Sequence, residues 1–157
     1  MNPDELQTAT IELRTLTGIL VKVARQDINQ RLANAGVEIS SLQYGILFIL
    51  NGHSRTLSEL SPLMARDPAT LLQAVDNLEK KALLTRGKDP HDRRRTPLMI
   101  TALGKSVLEQ VPQASKNDLL SKALSQLGGE KVAQLLVLLN EVNANLSKDK
   151  LRTNQEN

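Results

Sequence analysis

Cysteine is absent from this 157-residue sequence, and aromatic side chains nearly so: there is no tryptophan, one tyrosine and one phenylalanine. Without thiols the chain can form no disulfide framework, no thiolate metal site and no cysteine redox sensor. With so few aromatic residues, Leu, Val, Ile and Ala must fill the core, and leucine and alanine favour helices over sheets. The composition therefore predicts a mainly helical protein, long enough for one domain with a substantial core.

Signals for catalysis and for membrane insertion are also missing. His53 and His91 are the only histidines, and neither has metal-ligand spacing to another histidine or to cysteine. No glycine-rich phosphate loop or nucleophile elbow occurs. No apolar run approaches membrane-spanning length, and the first residues lack the basic and apolar regions of a secretory signal. We expect a cytoplasmic protein that is not an enzyme, that holds no metal or cofactor and that does not contact a membrane.

Positive charge is concentrated in one segment. Between residues 80 and 95 there are seven Lys or Arg and two Asp, which gives this segment a net charge of +5 in a chain whose total is +3. The remaining residues therefore carry −2. A focused basic segment on an otherwise ordinary protein is typical of a surface that binds a polyanion.

The same segment has the pattern of a β-hairpin. Two short apolar runs, Leu83–Thr85 and Leu98–Ile100, flank the turn-forming residues Asp89, Pro90 and Asp92, and three consecutive arginines follow at 93–95. An arginine-tipped hairpin after a helix is the plan of a winged helix, and such a tip suits the phosphates and minor groove of DNA. The alternative for the arginine run alone is a solvated surface turn.

Helix start signals precede the hairpin. Apolar periodicity predicts a first helix from Glu5 to about Ala33, and a second covers Leu42 to Leu50. Thr56 and Glu59 match a capping box that opens a short helix, which Pro62 must interrupt or shift. Asp67-Pro68 then starts a helix to about Lys81; its apolar positions include Ala69, Leu72, Val75 and Leu78.

The residues after the hairpin predict two further helices. Thr101 can cap one, kinked by Pro112, and Gly128-Gly129 breaks the chain before a last helix with a heptad-like seam at Val132, Leu135, Leu139, Val142 and Leu146. The first and last helices carry more apolar surface than a small winged core can bury. They pack either on that core or, in the preferred interpretation, on a second copy of the chain.

The hairpin carries a family resemblance. Asp89-Pro-His-Asp-Arg-Arg94 resembles the Asp-x-x-Asp-x-Arg wing of the MarR family of bacterial transcription regulators, and Leu98-Met-Ile-Thr-Ala-Leu-Gly104 resembles that family's Leu-Thr-x-x-Gly exit. The resemblance extends over about residues 6 to 146. It implies a mainly α fold with a small β-wing, in which a winged helix-turn-helix (residues 40–100) is flanked by dimerisation helices (residues 5–35 and 101–148) within a single domain. Residues 149–157 would form a disordered tail.

The resemblance also implies site residues. Double-stranded DNA would contact the recognition helix at Pro68, Ala69, Thr70, Gln73 and Asn77, because Gln and Asn can bind adenine through two hydrogen bonds. Asp92 would brace the wing by pairing with an arginine. The wing would contact DNA through Arg94 in the minor groove and through further basic side chains at Arg86, Lys88, His91, Arg93 and Arg95.

The function implied is a homodimeric repressor that binds a palindromic operator. Many relatives in the family are released from DNA by small aromatic acids or phenols. Tyr44 and His53 are weak candidates for such contacts here, since a core role suits Tyr44 and also Phe48 one turn further along the helix, and a solvated loop suits His53. The alternative function is a winged-helix module that binds a protein partner and has weakened DNA binding. The uncharged start of the recognition helix favours this alternative, whereas the arginine wing opposes it.

Overall fold

The computed structural model describes residues 1–89, 92, 95–112 and 118–153, with side chains described as far as residue 146. The chain contains two compact units, Met1–Gln113 and Ala114–Asn157. The first unit holds the elements α1 (Pro3–Asn34), α2 (Ser41–Gly52), α3 (Leu57–Met64), α4 (Pro68–Lys80), β1 (Leu84–Arg86), β2 (Leu98–Ile100) and α5 (Ala102–Gln110). The second holds α6 (Leu119–Leu127) and α7 (Gly129–Thr153).

The helices begin where the sequence provides a capping side chain. Ser40 with Gln43, and Thr56 with Glu59, form reciprocal capping boxes at the starts of α2 and α3. The Asp67 carboxylate accepts a hydrogen bond from the Thr70 amide at 2.8 Å, and Pro68 occupies the first turn of α4. These bonds satisfy amides that have no partner inside the helix, and they confirm the predicted starts.

The predicted hairpin is present. Strands β1 and β2 pair antiparallel with Thr85 opposite Met99, and Arg55 extends the pairing by an isolated bridge to Leu98. The first strand is displaced by one residue from the predicted Leu83–Thr85. The reason is that the Leu83 amide donates to the Leu78 carbonyl at 2.9 Å and so closes the end of α4 before the strand begins.

The core of the first unit is aliphatic and lies between α2, α3, α4 and the hairpin. Its fully buried members include Ile46, Leu47, Leu60, Leu71, Val75, Leu78 and Leu84. The buried stripe of α4 consists of Leu71, Ala74, Val75 and Leu78. The predicted phase was therefore wrong for Leu72, which is 45% exposed, because the spacing 71, 74, 75, 78 forms the tighter helical stripe. Ala69, which was named both as an apolar position and as a residue of the recognition face, is exposed.

Pro62 lies inside α3, where the sequence predicts an interruption or a shift. The helix ends two residues later at Met64, and Ala65 turns the chain with a φ of 47°. Only glycine adopts positive φ without a steric penalty, so this turn is strained. Ala82 turns the chain in the same way after α4, with a φ of 56°.

This strain predicts that Ala82→Gly stabilises the protein. Ala82 occupies the left-handed position that glycine normally takes after a helix. Relief of the Cβ clash should raise the free energy of unfolding by about 1 kcal/mol, net of the larger entropy of an unfolded glycine. Urea unfolding measures the change. The control is Ala133→Gly on an exposed helical turn of α7, which should lose about 1 kcal/mol; equal losses in both variants would contradict the strain.

The later helices differ from the sequence expectation at three points. Helix α5 ends at Gln110 and is not kinked by Pro112, which follows the helix, since proline cannot continue the bonding pattern. Helix α6, capped by Asp118, is a separate element that the sequence did not predict. Helix α7 extends to Thr153 and so includes residues 149–153 of the expected tail, because no proline or glycine stops it there; residues 154–157 lie outside the described residues.

Helix α5 belongs to the winged core as well as to the segment predicted for dimerisation. Its Val107 and Leu108 pack against the core cluster that contains Ile46 and Leu50. Val111, just beyond the helix, is buried with Leu32 of α1 and Tyr44 of α2. Across the described ranges we find no helix that is both long and apolar enough to cross a membrane.

Candidate nucleic-acid interface

Helices α3 and α4 form the helix-turn-helix. The turn between them is stabilised by the Ser61 hydroxyl, which donates to the Arg66 carbonyl at 2.6 Å, and by the Arg66 amide, which donates to the Ser61 carbonyl at 3.2 Å. Leu60 and Leu71 are both fully buried, one on each helix. These contacts orient α4 so that its buried stripe meets the core and its other side remains at the surface.

The five residues predicted for the recognition helix share that surface. Gln73 and Asn77 lie one turn apart, and all five side chains are exposed, namely Pro68, Ala69, Thr70, Gln73 and Asn77. Thr70 is also tied to the helix start, because its hydroxyl donates to the Asp67 carboxylate at 2.7 Å. The structure therefore brings the predicted base-reading set together on one accessible helix face.

Acidic groups at the starts of these helices have lowered pKa values. Hydrogen bonds from the Thr70 amide and hydroxyl lower the pKa of Asp67. The pKa of Glu59 is lowered first by the Thr56 amide and hydroxyl and then by the positive charges of Arg95 and Arg55. Both carboxylates are thus held in their charged form, near the surface where a polyanion would approach.

The lowered pKa of Asp67 predicts a pH dependence. A carboxyl group with a depressed folded pKa stabilises the fold above its unfolded pKa of about 3.9 and loses that contribution as the pH falls through the folded value. Asp67→Asn keeps a good cap but cannot titrate. The wild type should therefore melt above Asp67→Asn at neutral pH and lose that advantage as the pH falls below the unfolded pKa and through the lowered folded pKa. Calorimetry across this range measures it, and a constant difference would contradict the assignment.

Arg86 joins the wing to α4. Its Nη2 donates to Asp76 Oδ1 at 2.6 Å, and its Nη1 donates to Glu79 Oε2. The side chain of Arg86 is 31% exposed, and its pKa is raised first by the hydrogen bond to Asp76 and then by the charge of Glu79. Arg86 was predicted among the DNA-contacting wing residues. Its guanidinium is engaged by two carboxylates of α4, and its contact with DNA stays a prediction.

Arg95 joins the other end of the wing to α3. Its Nη2 lies 2.7 Å from Glu59 Oε1, and its Nε lies 3.7 Å from Asp89 Oδ2. Half of the Arg95 side chain remains exposed. Together with Thr56, Ser58 and Pro68 it borders an open groove of about 520 Å³ at the starts of α3 and α4.

Of the other predicted wing residues, the structure describes Lys88 and Asp92. Lys88 is exposed. Asp92 is described through its backbone, whose amide donates to Asp89 Oδ1 at 3.2 Å and whose carbonyl accepts from the Arg95 amide at 3.0 Å. Its pairing with an arginine stays a prediction. His91, Arg93 and Arg94 lie outside the described residues.

The acidic partners of the wing were not predicted from the sequence. Asp76 and Glu79 are three residues apart on α4. With the N-terminal cap Asp67 they give three negative charges against the one positive charge of Lys80, so α4 together with this N-terminal cap has a net charge of −2. Spacing of i, i+3 already placed Asp76 and Glu79 on neighbouring positions. What the sequence could not provide is their proximity to Arg86, which depends on how the hairpin packs against α4.

The two candidate ligand residues are separated by the fold. Tyr44 is 8% exposed and its ring stacks on Phe48 at 6.4 Å between centroids. Phe48, for which a core role was expected, is 55% exposed. Both rings line a cavity of about 200 Å³ with Asn51, Lys105, Leu108, Glu109, Val111 and Pro112. His53 is exposed at the end of α2 and is not among these lining residues.

Known proteins are similar to this chain in sequence and in architecture. The model of the MarR family matches residues 36–95. The "Putative transcriptional regulatory protein for hcr operon" of Thauera aromatica is 35% identical over 72 residues, which is 45% of this chain and 43% of that protein, less than half of its length.

Two solved structures cover most of the chain. The transcriptional regulator BldR from Sulfolobus solfataricus is similar with a TM-score of 0.70 and 25% identity, over 92% of this chain and 99% of that chain. A cysteine-to-serine mutant of MarR from E. coli, solved in complex with operator DNA, gives a TM-score of 0.70 and 25% identity over 85% of this chain and 95% of that chain. With its helix-turn-helix and its antiparallel wing, the chain has the fold of the winged-helix transcription regulators of the MarR family, and its residues 36–95 match the model of that family.

Proposed function

We propose that this chain is a cytoplasmic, homodimeric repressor that binds a palindromic operator. The observation that carries the proposal is the exposed row Thr70, Gln73 and Asn77 on α4, next to a wing that ion pairs join to both helices of the helix-turn-helix. Ion pairs that hold the wing against the helix-turn-helix would reduce the conformational entropy lost on binding. They would also favour one spacing between the major-groove and minor-groove contacts.

The two elements would divide the work of recognition. Gln73 and Asn77 have amide groups that can bind adenine, so α4 would read bases in the major groove. Lys88 is exposed on the wing and would contact phosphates. Arg94, by resemblance, would enter the minor groove, where a weakly hydrated guanidinium is favoured.

Dimerisation is supported by the apolar surface of the terminal helices. Helix α1 exposes Leu6, Ile11, Leu13, Leu16, Ile19, Leu20 and Val21, and α7 exposes Leu136, Val137, Leu138, Val142 and Leu146. Apolar surface of this extent is unusual on a monomer and marks an interface. A second copy is the fitting occupant, because a two-fold dimer presents two recognition helices to the two halves of a palindrome.

Stoichiometry tests this proposal. Sedimentation equilibrium should give twice the 17.3 kDa of one chain, and titration of a palindromic duplex at concentrations well above Kd should saturate at two chains per duplex. Leu16→Glu, which places a charge in the apolar surface of α1, should shift the protein toward monomer and weaken DNA binding together. A monomer that saturates duplex at one chain per site would contradict the dimeric operator model.

We propose a small aromatic acid or phenol as the ligand of the cavity between α2 and α5. Its volume of about 200 Å³ suits a single ring, Tyr44 and Phe48 supply aromatic contacts, and Lys105 supplies a positive charge for a carboxylate. Tyr44, and not His53, is the residue we retain for this role. Binding there would release the repressor if it favoured a dimer whose recognition helices no longer match the operator spacing.

One observation favours the protein-interaction module as a second candidate. Leu63 at the end of α3 and Leu72 on α4 are 59% and 45% exposed, and α4 with its cap has a net charge of −2. Apolar, slightly acidic surface suits a protein partner better than DNA. Salt dependence separates the two functions: a DNA-binding wing loses affinity for duplex steeply as salt rises, whereas an interaction module shows little duplex binding at any salt.

A further inference from the structure

The exposed side of α4 carries acidic side chains, and a basic side chain of the wing pairs with them. Asp76 and Glu79 lie on α4 at the edge of its exposed face, and each retains more than a third of its side-chain exposure even when paired, 46% and 37%. A helix that enters a groove between two phosphate backbones with free carboxylates is repelled, because like charges at an interface oppose binding. One group, the guanidinium of Arg86, pairs with both carboxylates and offsets one of their two negative charges.

We infer that Arg86 is a positioning residue which pairs with Asp76 and Glu79, offsets one of their two negative charges and thereby permits the acidic recognition helix to approach DNA, while it contacts no phosphate itself. This inference rests on the proposed DNA-binding function. It assigns Arg86 a role different from that of the exposed Lys88 on the same wing.

The geometry supports neutralisation over direct contact. A guanidinium has five N–H donors in a planar fork. In Arg86 the two terminal nitrogens each donate to a different carboxylate, so the fork is directed at α4, although 31% of the side chain remains exposed. An arginine that binds DNA needs those same nitrogens for phosphate or base oxygens.

A cycle of four proteins tests the inference: the wild type, Arg86→Gln, the pair Asp76→Asn with Glu79→Gln, and all three substitutions together. The probe is a random-sequence duplex of about 25 base pairs at low salt, because non-specific affinity is almost entirely electrostatic and needs no known operator. Fluorescence anisotropy gives Kd for each protein. Thermal melting confirms that each is folded, and exposed ion pairs of this kind contribute little to stability.

The expected result is strong coupling. Arg86→Gln alone should weaken binding by about tenfold, since two carboxylates become uncompensated. In the background without those carboxylates the same substitution should change Kd by less than about twofold, because nothing remains to neutralise. The triple variant, which is more positive than the wild type by one charge, should bind at least as tightly as the wild type. The readout that identifies the role of Arg86 is the coupling between the two backgrounds, because the loss of one positive charge alone would weaken binding equally in both.

Two results would overturn the inference while leaving the proposed function intact. An equal loss from Arg86→Gln in both backgrounds would mean that Arg86 contacts DNA directly. A wild-type Kd in Arg86→Gln would mean that the carboxylates do not oppose binding. Absence of duplex binding by the wild type at low salt is a separate outcome, which would overturn the DNA-binding function and this inference with it.

Discussion

Gly104→Ala should lower the free energy of unfolding by about 3 kcal/mol, the upper part of the range for overpacking a tight site. An added Cβ would lie 2.1 Å from the Leu83 carbonyl oxygen and 2.7 Å from Cγ1 of Ile100. The first of these neighbours is backbone and cannot rotate away. It is also fixed on both sides, because the Leu83 carbonyl accepts from the Thr101 amide at 3.1 Å and the Leu83 amide donates to Leu78.

Packing and helix propensity predict opposite signs for the change in unfolding free energy of Gly104→Ala: overpacking lowers it, whereas helix propensity raises it. Gly104 lies in the first turn of α5, where alanine would ordinarily be the better helix former. Gly18 in α1 offers the matched control, since nothing lies within 4 Å of its added Cβ. Gly18→Ala should gain about 0.5–1 kcal/mol from propensity alone. Urea unfolding of both variants measures the contrast, and a stabilised Gly104→Ala protein would contradict the close approach of α5 to the hairpin.

The second large effect concerns the wing. Arg94→Ala should weaken operator binding by about 100-fold or more. A hydrogen bond to a charged group contributes about 1.5–3 kcal/mol, every 1.4 kcal/mol is tenfold in Kd, and the substitution removes the guanidinium from both wings of a two-fold dimer. The slope of log K against log salt should also become shallower, by about 0.9 for each phosphate that Arg94 no longer neutralises.

Two control variants make the wing result specific. Lys22→Ala removes one positive charge from an exposed position on α1 and should change Kd little. Arg94→Lys keeps the charge but replaces a planar, weakly hydrated group with a strongly hydrated ammonium, so it should fall between the wild type and Arg94→Ala. Arg94→Ala with unchanged affinity and salt slope would remove Arg94 from the interface.

Local chemistry made much of the winged core predictable. Capping pairs such as Thr56 with Glu59 act within three residues, so the sequence alone locates the helix starts. The hairpin was predictable for the same reason, because its turn residues and its apolar runs are adjacent in the sequence. Family resemblance added the recognition face of α4, whose five residues are all exposed.

The parts that could not be predicted depend on contacts distant in sequence. The phase of α4 was misjudged at Leu72 because Ala69, Leu72, Val75 and Leu78 also make a plausible stripe, and only packing against α2 and α3 selects Leu71 and Ala74. The pairing of Arg86 could not be predicted, because it depends on a contact with Asp76, which lies ten residues earlier on another element. Helix α6 was missed because Pro112 and Gly128-Gly129 limit its segment without specifying what lies between them.

We propose that this chain binds a specific operator. Fluorescence-anisotropy titration of duplex from the gene's own upstream region, against a scrambled duplex of the same length at about physiological salt, tests it most directly. Specific binding typically exceeds non-specific binding by about 10³-fold or more, and we expect at least that preference for the upstream duplex. Equal and weak binding to both duplexes would contradict the claim and favour a winged-helix module that binds a protein partner.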